Sequence, residues 1–220
     1  MALVIGNDSY KSLPNLNNAR TDARSMATKL KELGSSVILK QDASRHDISR
    51  SVADFEGRLK DAEVGLVFYA GHGIQKDGAN YLVASDALIK VEEDLRLDGV
   101  DADEFLKTME RAGAPLNIVI LDACRDNPLP KRSRSGARRL STPVIPKGIK
   151  GTANLYSAAP GQVAQEGPRG GPGVFTCELL KVLNRPGLKL EEVFKRTATK
   201  VAVANNGNQA GPMDQLVRER

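Results

Sequence analysis

Tryptophan is absent from this 220-residue chain, and aromatic residues make up only 4% of it. This composition argues against a surface that stacks nucleic-acid bases, because such surfaces depend on aromatic side chains. No apolar run approaches the about 20 residues that a membrane-spanning helix needs, which excludes a membrane protein. The two cysteines, Cys124 and Cys177, are too few for a disulfide framework. What is present, 40% hydrophobic and 27% charged residues, is typical of one globular domain with a full core.

The net charge of +5 comes from one segment of the chain. Residues 131–150 contain seven Lys or Arg and no acidic residue, and the remainder holds 25 basic against 27 acidic residues. Since the rest of the chain is close to neutral, its charge gives no reason to expect a nucleic-acid or membrane partner.

Short apolar runs alternate with amphipathic stretches along the chain, and this order predicts a three-layer α/β/α sandwich around a mostly parallel six-stranded sheet. Several of the runs are continuously hydrophobic, as strands buried on both faces of a parallel sheet are. A flavodoxin-like nucleotide-binding or receiver domain shares this pattern, but no glycine-rich phosphate loop is present. The predicted strands are 3–5, 37–39, 64–69, 81–83, 118–121 and 153–158, and helices are expected around 23–33, 48–59, 105–109, 179–183 and 193–201.

We interpret the whole chain, 1–220, as a single domain made of two portions and a linker. Residues 125–150 hold four prolines and a run of like charge, which is typical of an exposed, mobile loop. The portions are then 1–130 and 151–220, joined by the basic linker 131–150. Because Met1 leads directly into a predicted strand, we interpret the start as that of a domain cut from a longer protein. The cytoplasm is the favoured location, with the native N-terminus and any signal peptide left open.

Two of the predicted strands end in reactive side chains. His72 lies in a Gly-His-Gly sequence after one strand, and Cys124 follows another strand 52 residues later. Carboxyl ends of parallel strands meet at one edge of the sheet, so neighbouring strands would bring the imidazole and the thiol into one crevice. Such a pair performs acyl transfer by a thiolate. Taken singly, a Cys at a strand end is usually a small buried residue and a His between glycines usually a turn residue.

The remaining His and Cys show no further site. His46 is expected on a helix surface and Cys177 in the core face of a helix, and the four residues have no zinc-ligand spacing.

Six segments, in order along nearly the whole chain, resemble the caspase-like cysteine peptidases, and most of all the bacterial metacaspase-like group, the orthocaspases. Caspases also place the catalytic His about 50 residues before the Cys. Two departures from eukaryotic metacaspases leave the His and Cys in place: Ala70 stands where those have Ser, and Arg125-Asp126 where they have His-Ser. The segments are ALVIGNDSY, NNARTDARSMATKLKELG, VFYAGHG, IVILDACRDNP, NLYSAAPGQVA and GVFTCELLKVL.

The resemblance implies a cysteine endopeptidase. Cys124 would be the nucleophile, His72 its partner, and the backbone N–H groups of Gly73 and Cys124 the oxyanion donors. An acidic pocket of Asp22 and Asp122 would bind Arg or Lys before the scissile bond. A structural role has equal weight with the substrate-binding role for each carboxylate: a helix-start residue for Asp22 and a hydrogen-bond anchor of the following loop for Asp122.

The segment around Ser157 resembles the caspase strand that lines the substrate groove, so Ser157 is a further substrate-binding candidate. Counted on from this strand, Glu166 stands where caspases place an Arg for a substrate Asp. This difference also favours basic substrates.

The resemblance further suggests self-processing, with Arg132, Arg134, Arg138 and Arg139 as candidate cleavage sites; a solvated loop open to other proteases is the alternative. No cofactor is required, although some metacaspases need calcium, for which Asp86, Asp98 and Asp101 are weak candidate ligands. We expect protein or peptide substrates, a monomer, and no nucleic-acid or membrane partner. The alternative to an enzyme is a catalytically silent caspase-like scaffold used for protein interaction.

Overall fold

The computed structural model describes residues 1–76, 79–124, 129, 151–157, 167–168, 170–205 and 213–217. In this part of the chain lie eight strands and six helices, with a 3₁₀ turn at Glu92–Asp94. The strands are β1 Ala2–Gly6, β2 Val37–Gln41, β3 Val64–Lys76, β4 Ala79–Val83, β5 Gly99–Asp101, β6 Leu116–Cys124, β7 Thr152–Tyr156 and β8 Met213–Val217. The helices are α1 Ala19–Glu32, α2 Arg45–Leu59, α3 Leu95–Asp98, α4 Asp103–Ala112, α5 Val174–Leu183 and α6 Leu190–Ala204.

The central sheet has the strand order β2-β1-β3-β6-β7-β8. The first five of these strands are mutually parallel, and β8 pairs with β7 in the antiparallel sense. The order reverses between β1 and β3, because the chain passes from β1 outward to β2 and then returns to the other side. In open α/β sheets such a reversal opens a crevice at the carboxyl ends of the strands.

Alternation of side chains along the strands builds two cores, one on each face of the sheet. Leu3 and Ile5 of β1 belong to one core, which Phe55 of α2 and Phe105 of α4 complete. Val4 of β1 belongs to the other core, which contains side chains of α1, α5 and α6. The three-layer α/β/α sandwich predicted from the sequence is therefore confirmed.

Two helix boundaries lie at capping residues that the sequence predicts. Ser44 and Asp47 form a reciprocal capping box at the start of α2. Gly113 follows α4 with a φ of 78°, a left-handed conformation that glycine adopts readily. None of the helices in the described ranges is long and apolar enough to cross a membrane.

The sheet differs from the sequence prediction in its edges. β3 does not end near Tyr69 but continues to Lys76, and its last part pairs with β4 in an antiparallel extension that β5 completes. The predicted strand 81–83 lies in this extension, and the sixth strand of the central sheet is β8, which the sequence analysis missed. The predicted strand ended too early because the glycines at positions 71 and 73 are typical of a turn rather than of a continuing strand.

Candidate functional site

Residues 72 and 124 face each other across two adjacent strands. The parallel pairing of β3 with β6 runs from Val64 opposite Leu116 to His72 opposite Cys124, where β6 ends. From the next residue, Gly73, β3 pairs with β4 instead, opposite Leu82. His72 therefore lies where the long strand exchanges its parallel neighbour for an antiparallel one. The backbone of Cys124 lies directly beside it.

The imidazole of His72 has a defined hydrogen-bond partner. Its Nε2 lies 2.8 Å from the carbonyl oxygen of Pro14, in the loop between β1 and α1. A carbonyl only accepts, so Nε2 must carry the hydrogen, and a neutral imidazole then has its lone pair on Nδ1. The Tyr10 ring packs beside the imidazole, with 4.6 Å between ring centroids and a tilt of 56°. This environment prepares Nδ1 to accept a proton.

The loop that carries Tyr10 and Pro14 is anchored at the end of β2. One carboxylate oxygen of Asp42 accepts hydrogen bonds from the N–H groups of Asp8 and Ser9, at 2.8 and 2.9 Å. Its other oxygen pairs with Arg20 at 3.1 Å. Asp42 has a φ of 46°, a left-handed conformation that is uncommon for a non-glycine residue. In this conformation the Asp42 carboxylate lies within hydrogen-bond distance of the loop between β1 and α1.

Two carboxylates meet at the N-terminus of α5. Asp22 of α1 accepts a 2.7 Å hydrogen bond from the N–H of Gly173, the residue that caps the helix. Asp122 of β6 accepts a 2.7 Å hydrogen bond from the hydroxyl of Thr176 in the first turn. A Cβ added at Gly173 would lie 3.3 Å from one oxygen of Asp22 and 3.8 Å from one of Asp122. Gly173, which has no side chain, therefore packs closely beside both carboxylates; we call Asp22, Asp122 and the groups that donate to them the acidic pocket.

Burial makes the charges of the acidic pocket costly. Asp22 is only 4% exposed. Burial, and then repulsion from Asp122, raise its pKa to about 8, although the Gly173 N–H opposes the change. Burial also raises the pKa of Asp122, against hydrogen bonds from Thr176 and Ser157. Among the described residues no basic side chain pairs with either carboxylate.

Ser157 belongs to the same pocket. It is fully buried directly after β7, and its hydrogen bond to Asp122 lowers the pKa of that carboxyl. Asn18 holds the loop before α5, because its side-chain amide donates to the carbonyl oxygens of Pro168 and Gly171 at 3.1 and 2.7 Å. The structure thus brings together three residues that the sequence analysis named separately, Asp22, Asp122 and Ser157.

The three calcium candidates, Asp86, Asp98 and Asp101, all accept hydrogen bonds from the backbone. In the described part of the chain, no three His, Cys, Asp or Glu side chains gather closely enough to hold a metal ion. Each candidate carboxylate instead accepts a backbone N–H: Asp86 from Arg45, Asp98 from Leu88, and Asp101 from Asp103. The Asp101 contact is the helix-start role that a carboxylate often has.

Other predicted residues have different outcomes. Gly73 lies in β3 one residue beyond His72, and His46 is exposed on α2 as expected. Cys177 is half-buried rather than fully in the core. Glu166, the linker 131–150 and its four arginines lie outside the described residues, so their predicted roles stay predictions.

Sequence reasoning missed Pro14, Tyr10, Gly173 and Thr176. Nothing in the sequence marks Pro14, because its carbonyl, not its side chain, makes the contact. Gly173 and Thr176 stand at the start of a predicted helix, and a helix N-terminus favours carboxylates, which is the signal that could have found them.

His72 and Cys124 thus lie in register at the carboxyl ends of adjacent parallel strands of an α/β sandwich, with Asp122 two residues before Cys124. The family model of the caspase domain matches residues 1–218. The chain therefore belongs to the caspase domain family.

Two curated relatives resemble part of the chain. The human mucosa-associated lymphoid tissue lymphoma translocation protein 1 is 29% identical over 125 residues, and its mouse homologue is 30% identical over 125 residues. Each match covers 57% of this chain and 15% of the relative. The matched region thus spans about a seventh of the length of these relatives, and it supports the family rather than the bacterial metacaspase-like subgroup.

Proposed function

We propose that the protein is a cysteine endopeptidase that cleaves after Arg or Lys, with Cys124 as nucleophile and His72 as its acid–base partner. The observation that carries the proposal is the register of His72 with Cys124 at the end of β6. Residues in register on parallel strands project to the same face of the sheet, and adjacent strands lie about 4.8 Å apart, which supports a contact between the two side chains.

The proposed reaction has two stages. Nδ1 of His72 takes the proton of the Cys124 thiol, and the thiolate adds to the carbonyl carbon of the scissile peptide bond. The imidazolium gives that proton to the leaving amine as the C–N bond breaks, which leaves a thioester on Cys124. Water, with its proton taken by His72, then adds to the thioester carbonyl; the C–S bond breaks, the acid product leaves, and the proton on His72 returns to the Cys124 sulfur. The N–H groups of Gly73 and Cys124 are the proposed donors to the oxyanion.

The acidic pocket supports the preference for basic substrates. Two carboxylates without a basic partner among the described residues, one buried and one partly buried, are costly, and a guanidinium or ammonium group would relieve that cost. A guanidinium can also bind two carboxylate oxygens at once. Asp122 lies two residues before Cys124 on the same strand, which places the pocket next to the proposed nucleophile.

The test of the activity uses a fluorogenic peptide ending in Arg, because the chain offers matched controls for both residues. We expect Cys124→Ala and His72→Ala to lower kcat at least about 1,000-fold, whereas Cys177→Ala and His46→Ala keep wild-type rates. Full activity of Cys124→Ala would exclude the enzyme assignment for this site. Inactivity of the wild-type protein on Arg, Lys and Asp peptides alike, with and without calcium, would favour the silent scaffold.

The same proposal includes self-processing in the basic linker 131–150, after Arg132, Arg134, Arg138 or Arg139. Wild-type protein is incubated with the Cys124→Ala form, and the fragments are identified by mass. Fragments ending at these arginines only where an intact thiol is present support self-processing, while the same fragments from Cys124→Ala alone indicate an outside protease. We further propose a monomer acting on protein substrates, without nucleic acid or membrane; a calcium requirement stays a prediction for the assay above.

A further inference from the structure

The main chain of His72 is held by two tyrosine hydroxyls. The His72 N–H donates to the Tyr10 hydroxyl oxygen at 2.9 Å. The Tyr69 hydroxyl lies 2.9 Å from the His72 carbonyl oxygen, to which it can donate. At this residue β3 exchanges β6 for β4, so a side chain, not a neighbouring strand, receives the N–H.

The two hydroxyls are themselves tied to the rest of the sheet. The Tyr10 hydroxyl donates to the carbonyl of Asn7, directly after β1, at 2.9 Å. The Tyr69 hydroxyl lies 3.0 Å from the carbonyl of Val83, the last residue of β4. Burial raises the pKa of both tyrosines, so both hydroxyls stay protonated and able to donate. The Tyr10 hydroxyl thus links the His72 N–H to the residue after β1, while the Tyr69 hydroxyl, with one hydrogen, lies between the His72 and Val83 carbonyls and donates to one of them at a time.

Gly71 makes this close approach possible. It has a φ of 155°, and a Cβ at this position would lie 2.5 Å from each of the two hydroxyl oxygens. No side chain fits there, so the space beside residue 71 is taken by the hydroxyls of Tyr10 and Tyr69.

We propose that Tyr10 and Tyr69 are positioning residues for His72, holding its main chain with their hydroxyls while the Tyr10 ring and the Pro14 carbonyl hold the imidazole. The inference rests on the proposed role of His72 as the acid–base partner. A position error of about 1 Å in an active-site group lowers rates strongly, which gives such a clamp a direct effect on turnover. It does not bind substrate, so KM should be insensitive to it.

The kinetic test compares Tyr10→Phe, Tyr69→Phe and a matched control, Tyr81→Phe. Tyr81 lies on β4 against Gly99, and its hydroxyl has no part in the clamp. We expect each of the first two variants to lower kcat about tenfold, the effect of one lost hydrogen bond, with KM changed less than about twofold. The control should keep both constants. The double variant should lose less than the product of the two single losses, because both hydroxyls hold the same residue.

A spectroscopic readout separates positioning from simple stability. The chain has two histidines, so the imidazole ¹⁵N resonances of His72 can be assigned with a His46→Gln variant. Wild-type His72 should show the Nε2–H tautomer at high pH, and Tyr10→Phe should show a mixture of tautomers or exchange broadening. The Tyr81→Phe spectrum should match the wild type.

Each outcome decides the inference. A Tyr10→Phe protein that unfolds at lower temperature but keeps the wild-type kcat and tautomer overturns the positioning role. If Tyr69→Phe does not fold, because that side chain is fully buried, Tyr10→Phe alone decides. If His72→Ala keeps its activity, the proposed function fails first, whatever the tyrosine variants show.

Discussion

The surroundings of His72 and the acidic pocket lie at the same edge of the sheet, but they are built on opposite principles. Around His72 the hydrogen bonds described above are made by uncharged partners, namely two tyrosine hydroxyls and the Pro14 carbonyl, and the Tyr10 ring packs beside the imidazole. In the acidic pocket, the carboxylates of Asp22 and Asp122 repel each other, and the donors that the described residues supply to them, from Gly173, Thr176 and Ser157, are neutral.

The hydrogen bonds around His72 fix the position of a side chain, whereas the carboxylates of the acidic pocket supply charge. A group that must transfer a proton in one geometry gains from neutral hydrogen bonds, which fix direction without shifting its charge state. A pocket with unbalanced charge gains most from a cation that arrives with the substrate. We therefore expect removal of a charge to lower the catalytic constants strongly in the acidic pocket and only slightly around His72.

The largest effect is expected from Asp22→Asn. The amide oxygen can still accept the Gly173 N–H, so the change removes the charge and keeps the shape. We expect kcat/KM for an Arg peptide to fall about 100-fold, the loss that follows removal of one partner from a buried charge pair. The measurement is steady-state kinetics, with Asp54→Asn on α2 as a control that should keep the wild-type value.

The same variant should be more stable than the wild type, and the gain should depend on pH. The pKa of Asp22 is raised in the folded protein to about 8, so the free energy of unfolding of the wild type falls as the pH rises from about 4 to about 8. At pH 9 we expect Asp22→Asn to unfold about 3 °C higher, which corresponds to ~1 kcal/mol in a domain of this size. At pH 3, where Asp22 is protonated in both the folded and the unfolded state, the two proteins should unfold together. Equal midpoints at pH 9 would contradict the raised pKa.

A further prediction concerns the protons that the acidic pocket releases when a cation binds. Below pH 8 the empty pocket holds a proton on Asp22, and a bound guanidinium favours the ionised form. The affinity of Cys124→Ala for agmatine, a small guanidinium compound, should therefore rise up to about tenfold per pH unit from pH 6 to pH 8 and level off above. Isothermal titration calorimetry in buffers of different ionisation enthalpy should count up to one released proton. Binding without proton release would place the ligand elsewhere.

Much of the fold could be predicted because hydrophobic periodicity reports burial directly. The runs at 3–5 and 118–121 are apolar throughout and became central strands, and the capping box at Ser44 began its helix as predicted. The β8 strand was missed because its residues, Met213–Val217, combine polar and apolar types without a clear pattern. Its pairing with β7 is a tertiary effect that short sequence windows do not record.

Some residues of the candidate site could be predicted from the sequence, and others could not. His72 and Cys124 could be named from the sequence because reactive side chains at strand ends are visible in it. The acidic pocket could be named only by resemblance, since positions 22 and 122 lie far apart in the chain. The contacts of Pro14 and Gly173 are made by the backbone, so residue type carries almost no signal for them.

The smallest effect is expected from Asp42→Asn, the same chemical change as at position 22 but made on the His72 side. Asn tolerates the left-handed conformation of residue 42 and keeps an oxygen for the N–H groups of Asp8 and Ser9, so only the ion pair with Arg20 is lost. That pair is partly exposed, and its loss should lower the free energy of unfolding by about 0.5 kcal/mol, with kcat lowered less than about threefold and KM unchanged. Urea unfolding and steady-state kinetics measure these effects. A fall in kcat as large as that of Asp22→Asn would show that charge, not neutral hydrogen bonding, holds the loop over His72, because the two substitutions differ only in the region where the charge is removed.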